Sequence, residues 1–212
     1  MVTIVKHPLI EAKMSVLRDK NTKSKDFREC LNEIAMLMTF EILKDMEVVT
    51  TDKIITTPTG SKVKEVKLAK EVVLAPILRA GIGMIDGVKS ILPTVSIGTI
   101  GMYRDEKTLK PHEYYFKLPR VDNPQVIVVD PMLATGGSAI MAIDAIKKRG
   151  YKNIKMMALV GAPEGLKALE KIHPDVHVYL ASLDEKLNDH GYILPGLGDA
   201  GDRIFGTVDY IE

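Results

Sequence analysis

QVIVVDPMLATGGSAIMAIDAIKKRG, from Gln125 to Gly150, sets an unbroken apolar run against a glycine pair and then a helical pattern. Four residues, Val126 to Val129, are β-branched and apolar without alternation, which is how a strand buried on both faces reads. That strand delivers Asp130 to a sheet edge, and the turn Thr135-Gly136-Gly137-Ser138 opens a helix. Glycines let a backbone come close to an anion, the first N–H groups of a helix have no acceptor within it, and the helix dipole is positive at that end. The hydroxyls of Thr135 and Ser138 can add donors to the same oxygens. Asp130 would repel a phosphate, but a carboxylate accepts hydrogen bonds from ribose hydroxyls, so acid and turn together read as a clamp for a sugar phosphate. Two adjacent glycines alone would signify only a tight strand-to-helix turn.

Working outward, the same theme repeats. Residues 71–78 (EVVLAPIL), 94–102 (TVSIGTIGM), 154–162 (IKMMALVGA) and 175–183 (DVHVYLASL) are short Val/Ile/Leu-rich runs bounded by proline, glycine or charge. Helical patterns lie between several of them, at 80–92, 136–150 and 163–172, and strand-helix alternation predicts a parallel sheet with crossover helices. A longer amphipathic helix is predicted from Ser24 to Asp45. Residues 52–67, DKIITTPTGSKVKEVK, alternate around Thr59-Gly60 and predict a protruding β-hairpin. The connection from Tyr103 to Arg120 is long for a strand link and reads as a second, movable hairpin. The fold class is therefore α/β, a parallel sheet flanked by helices, in one domain spanning 1–212. Ligands of such sheets bind beyond the carboxyl ends of the strands, which points to Arg79, Arg104, Asp130 and the loop after Leu183.

Composition narrows the function classes. The 212 residues carry 46% hydrophobic and 27% charged side chains, ordinary for a water-soluble globular chain. The 29 basic and 28 acidic residues nearly cancel, which argues against non-specific nucleic-acid binding and leaves any phosphate to local groups. Cys30 is the single cysteine, so no intrachain disulfide can form, and a reducing, cytoplasmic setting is expected. It sits among Phe27, Leu31, Ile34, Leu37 and Met38 at helical spacing and is expected to pack in the core. The opening MVTIVKHPLIEAK does not read as a signal peptide, and no apolar run is long enough to predict a membrane span. The five histidines show no metal-ligand spacing, because Pro174 separates His173 from His177. No nucleophile elbow appears.

The loop lacks the lysine of a nucleotide-triphosphate P-loop and the G-x-G-x-x-G of a dinucleotide fold. Strand, acid, four residues, TGGS and helix together resemble the phosphoribosyl-pyrophosphate signature of the type I phosphoribosyltransferases. Asp130 is followed by Pro131 where most of that family carries a second acid, a substitution typical of its uracil-specific branch. The segments KHPLIEAKMSVLRD, APILRAGIGM and YILPGLGDAGDRIFGT (Tyr192 to Thr207) resemble the same branch, so the likeness runs through nearly the whole chain.

The resemblance implies a pentosyltransferase of pyrimidine salvage that converts uracil and 5-phosphoribosyl-1-pyrophosphate to UMP and diphosphate. It assigns the sugar substrate to Arg79, Arg104, Asp130, Pro131, Met132, Leu133, Ala134, Thr135, Gly136, Gly137, Ser138 and Asp199. Uracil falls to Ile193, Gly198, Asp199 and Ala200, largely through main-chain atoms of a glycine-rich loop. Catalytic roles fall to Asp130, Arg79 and Asp199. Mg²⁺ is implied as a cofactor carried by the sugar diphosphate with no direct protein ligand, since Mg²⁺ commonly binds through substrate phosphates and water. A strained or cis peptide is expected at Leu78–Arg79. Members of the family are usually homo-oligomers, dimers or tetramers, and some respond to GTP. Two rivals stand beside this reading: a sibling enzyme acting on hypoxanthine, guanine or orotate, and an RNA-binding regulator on the same fold.

Overall fold

A computed structural model describes residues 1–104 and 111–207. In chain order it contains β1 (Val2–Ile4), α1 (Pro8–Arg18), α2 (Ser24–Ile42), β2 (Val48–Thr56), β3 (Lys62–Leu68) and β4 (Val72–Leu78). A 3-10 turn, Ala80–Met84, leads into α3 (Ile85–Ile91), then β5 (Ser96–Ile97), β6 (Thr99–Arg104) and β7 (Pro111–Lys117). There follow β8 (Gln125–Val129), β9 (Met132–Leu133), α4 (Gly137–Lys148), β10 (Asn153–Gly161), α5 (Pro163–Ile172), β11 (His177–Leu183), β12 (Lys186–Leu187), β13 (Ile193–Leu194) and α6 (Ala200–Phe205).

The main sheet runs β1-β11-β10-β8-β4-β6-β7, with β5 beside β4 and β9 beside β10. Its pairings are parallel apart from β6 with β7. Side chains alternate between faces along a strand, and here the alternation divides the interior into two cores. Val72, Leu74, Ile127, Val129, Met157 and Leu159 face α1, α2 and α6. Val73, Ala75, Val126, Val128, Met156 and Ala158 face α4 and α5. A slip of one residue in any central strand would exchange the two sets, and each fully buried aliphatic side chain is worth about 1.5–3 kcal/mol. The register of β8 against β4 and β10 is thereby fixed, and with it the position of Asp130.

The central elements match the sequence reading closely. The run 94–102 is two strands, β5 and β6, interrupted at Gly98, whose N–H still donates to Leu74 O at 2.9 Å. The pattern over 80–92 divides into the 3-10 turn and α3. Helix α2 ends at Ile42, and Lys155, reaching from β10, donates to Ile42 O at 2.7 Å and pairs with Asp45, supplying the positive charge that the last turn of α2 lacks. Cys30 is half-buried against the first core, and burial, with Glu33, pushes its thiol pKa up. The hairpin expected at 52–67 is β2–β3, which spans more residues and exposes apolar groups along its length, including Val48, Ile54 and Val66. The other hairpin joins β6 to β7, and its tip lies outside the described residues.

Candidate active site

Strands β4 and β8 are neighbours, paired from Val72↔Gln125 to Pro76↔Val129, yet the chain leaves them in opposite directions. From β4 it moves to β6 on one side; from β8 it moves through α4 to β10 on the other. Loops that diverge in this way open a crevice at the carboxyl ends of the two strands, the place where open α/β sheets bind ligands. Arg79 follows Leu78 across a cis peptide, as the family resemblance implied, and Asp130 follows Val129.

A third residue reaches the crevice from far along the chain. Asp199 lies close enough to Asp130 for its negative charge to act there. A methyl placed on Gly201 would lie 3.2 Å from Asp199 Oδ1 and 3.7 Å from Arg79 Nη2, so acid and guanidinium flank the same point. Burial pushes the Asp130 carboxyl up to about 7; the Met132 N–H, 3.3 Å from Oδ1, pulls against this, and Asp199 adds to the rise. An acid held in that condition gains from any cation or hydroxyl donor that enters, since its ionised form is otherwise poorly solvated.

The turn between Asp130 and α4 is built in two parts. Pro131 to Leu133 belong to the sheet: Pro131 O accepts from Leu159 N at 3.0 Å and Val160 N at 3.1 Å, and Leu133 O accepts from Ala162 N at 2.9 Å. The side chain of Leu133 lies in the second core. These three residues, assigned to the sugar substrate by the resemblance, thus have these carbonyls and the Leu133 side chain already engaged in holding the loop. Ala134 to Ser138 form the open part, with Thr135 and Ser138 exposed. Gly136 has φ +83°, and a Cβ there would also meet Gly165 O at 2.8 Å, so glycine is required twice over. The ladder of α4 begins with Ile140 N donating to Gly136 O at 2.9 Å, which leaves the earlier amides of the first turn directed out of the helix end.

The carboxy-terminal segment departs from the expectation of a glycine-rich loop. Ala200–Phe205 is the helix α6, and Asp199 caps it by accepting from Asp202 N at 2.9 Å. An Asp followed three residues later by another acid, before apolar residues, is a capping pattern that the glycines obscured. The side chains of Ile193 and Ala200 are buried, so only their main-chain atoms could face a base. A cleft of about 440 Å³ opens between Gly198, Asp199 and Asp202 on one side and Arg18, Lys20 and Ser24 on the other. An apolar groove of about 630 Å³ elsewhere, lined by Ile4, Met36 and Phe40 among others, shares no residue with the loops after β4, β8 or β11.

Arg79 is not free. Its guanidinium pairs with Asp202 at 3.1 Å and lies 5.9 Å from the centre of the Phe205 ring. The pair joins the loop after β4 to α6, and its 60% exposed side chain can exchange partners. Arg104 ends β6, but its side chain, with Lys107 and Lys110, lies outside the described residues. Sequence reasoning passed over Asp202, Gly165, Arg18, Asp184 and Arg203. Asp184 was signalled only by the loop after Leu183, and Arg18 only by the opening segment that contains it.

A parallel sheet with a glycine-opened helix start after β8 and an acid at its switch point defines the class of type I phosphoribosyltransferase folds. A hypoxanthine-guanine phosphoribosyltransferase from Bacillus anthracis superposes with a TM-score of 0.50 at 19% identity, over 76% of this chain and 79% of that one, a likeness of fold alone. A protein from Aquifex aeolicus superposes far better, with a TM-score of 0.92 at 37% identity over 99% and 100% of the two chains. The family model for uracil phosphoribosyltransferase matches residues 4–207. Uracil phosphoribosyltransferases of Ligilactobacillus salivarius (57% identical over 96% of this chain and 97% of its own) and Streptococcus pneumoniae (56% over 97% and 98%) are similar nearly end to end. The chain belongs to the uracil phosphoribosyltransferase family.

Proposed function

We propose that this protein transfers a 5-phosphoribosyl group from 5-phosphoribosyl-1-pyrophosphate to N1 of uracil, forming UMP and diphosphate. What supports this reading is that Arg79 and Asp130 follow the neighbouring strands β4 and β8, that Asp199 lies near both, and that the Gly136–Ser138 turn comes six residues after Asp130, in a chain of this family. The amides at the start of α4, with Thr135 and Ser138, take the 5-phosphate. Asp130 accepts from the ribose hydroxyls. Arg79 exchanges Asp202 for diphosphate oxygens, which a guanidinium grips in pairs. The bond from ribose C1 to the diphosphate oxygen breaks, the N1–C1 bond forms, and the N1 proton leaves to solvent or diphosphate. Asp130 and Asp199 stabilise positive charge at C1 as it develops.

Asp130 and Asp199 supply the hard oxygen donors that Mg²⁺ prefers. A Mg²⁺ carried on the diphosphate, supported by these two acids, would neutralise charge on the leaving group. Backbone groups around Gly198 recognise the base. Arg104, on the β6–β7 hairpin, reads as a second diphosphate contact. Self-association, a response to GTP and a cytoplasmic setting complete the reading. Incubation with the sugar diphosphate, Mg²⁺ and a panel of bases, with and without GTP, tests it. UMP and diphosphate should form with uracil; nucleotide from hypoxanthine, guanine or orotate in its place would overturn the assignment.

A further inference from the structure

The loop before α6 is held by a charged network outside the reacting groups. Asp184, just beyond β11, is buried, and its side chain is 2% exposed. Arg18, the last residue of α1, meets it with both guanidinium nitrogens, at 2.7 and 2.8 Å. Ser182 Oγ donates to Asp184 at 2.7 Å and lies 3.1 Å from Arg18 Nη2. Burial pushes the Asp184 carboxyl up, but the bonds from Arg18, Ser182 and the Gly196 N–H more than offset this, leaving it below the usual carboxylate range. It is a fixed negative charge with a fixed partner.

Both groups converge on one residue. Gly196 N donates to Asp184 Oδ2 at 2.8 Å, and Gly196 O accepts from Arg18 Nη1 at 2.7 Å. The next carbonyl, Leu197 O, accepts from Arg203 Nη1 at 2.8 Å, while Arg203 also bonds Leu17 O and, at 2.6 Å, Asp19 O. Gly196 has φ +61°, and a Cβ there would meet Ile193 O at 2.1 Å, so the turn admits no side chain. Three backbone groups of Gly196 and Leu197 are therefore spent inside the protein. The next residue is Gly198, the one assigned to the base.

We propose that Arg18 and Asp184 are positioning residues for base recognition: by taking both polar groups of Gly196, next to the Leu197 carbonyl that Arg203 holds, they anchor the turn from which the Gly198 peptide presents its donor and acceptor to the pyrimidine. The inference rests on the uracil reading above and deepens it. Uracil offers an N3–H between two carbonyl oxygens, whereas cytosine offers an unprotonated N3 beside an amino group. A peptide held in one orientation matches one of these patterns and leaves a buried mismatch with the other. Loosening the clamp weakens both uracil binding and that discrimination. The 5-phosphate site at the start of α4 belongs to another loop and should not register the change.

Steady-state rates of the full-length protein with Asp184→Asn or Arg18→Lys test this, varying uracil and the sugar diphosphate in turn. Asn keeps the shape but loses the charge; Lys keeps the charge but cannot form the fork. Asp184→Asn should raise KM for uracil about tenfold and change KM for the sugar diphosphate less than about twofold, with a narrower preference for uracil over cytosine. Arg18→Lys should act in the same direction by a smaller factor. If Asp184→Asn does not yield folded protein, Ser182→Ala decides, because it weakens the network while keeping the ion pair, and a KM for uracil raised about threefold is then expected. A lowered melting temperature with KM for uracil unchanged, or both KM values rising together, would overturn the proposal. Wild-type protein that forms no UMP from uracil removes the function reading and this inference together; an active wild type with insensitive variants removes only the clamp.

Discussion

The turn after β8 and the turn before α6 serve opposite halves of one proposed reaction, and they are held in different ways. The first is largely local. Residues 131–133 add to the sheet, Gly136 turns the chain through φ +83°, and α4 begins at once. The second depends on residues far away in sequence: Arg18 contacts Asp184 across 166 positions, and Arg203 reaches Leu17 across 186. A phosphate asks for a set of convergent amides, which a helix start provides without help. A base asks for particular donors and acceptors in a particular order, and a glycine-rich turn offers no such order until something else immobilises it.

The largest effect should come from Asp130→Asn, which leaves both turns in place but removes the carboxylate at the end of β8. Turnover should fall about 10²–10³-fold, as when one electrostatic stabiliser of a transition state is removed, and steady-state rates will show it. The same change should stabilise the ligand-free protein. The folded-state pKa of Asp130 is raised from 3.8 to about 7, so the folded form holds a proton that the unfolded form releases within that window. Stability is therefore lost as pH rises from about 4 to 7, by up to about 4 kcal/mol, and Asn abolishes that loss. Thermal melts at pH 5 and pH 8 should show the variant gaining on wild type as pH rises; a gap that stays constant would mean Asp130 is ionised without penalty.

Gly165→Ala sharpens the contrast from the phosphate side. Gly165 lies on α5, and a Cβ there would stand 2.2 Å from Ala134 O and 3.0 Å from Leu133 O, so loop or helix must shift. A displacement of that size in a positioning loop should cost about 10–100-fold in kcat/KM for the sugar diphosphate. KM for uracil should change little, the mirror image of Asp184→Asn. If either variant moved both constants equally, the two turns would be one cooperative unit rather than two.

This division also explains what could be read from the sequence. The strand Val126–Val129, Asp130 and the glycine pair lie within a dozen residues, and periodicity places them without knowledge of the rest. Paired arrays β4, β8, β10 and β11 follow from apolar runs that only a doubly covered sheet can use. Asp184, Arg18 and Arg203 were invisible for the opposite reason. Each is a single charged residue whose partner is set by tertiary packing, and nothing in LASLDEKL or SVLRDK distinguishes a buried ion pair from solvated charge. Helix α6 was hidden by Gly201, which lowers helix propensity in its first turn, although Asp199 is a favourable cap. The Arg79–Asp202 contact was missed because Asp202 sits in that unrecognised helix.

That contact carries the smallest expected effect and tests whether the crevice is poised or merely open. Arg79 is held by Asp202 at 3.1 Å, and Asp202 also accepts from Thr207 Oγ1 at 2.7 Å. The Arg79 side chain is 60% exposed and that of Asp202 34%, so the ion pair is worth at most about 1 kcal/mol. To grip diphosphate, the guanidinium must leave this carboxylate or share its nitrogens with it. Asp202→Asn should therefore lower KM for the sugar diphosphate by about twofold, since less is given up on binding, while the Asn side chain can still accept from Thr207. A rise in KM instead would show that Asp202 aims Arg79 at the diphosphate rather than competing for it. Raised salt separates the two cases further: screening weakens a competing pair and so narrows the difference between variant and wild type, whereas an aiming role fixed by geometry keeps it.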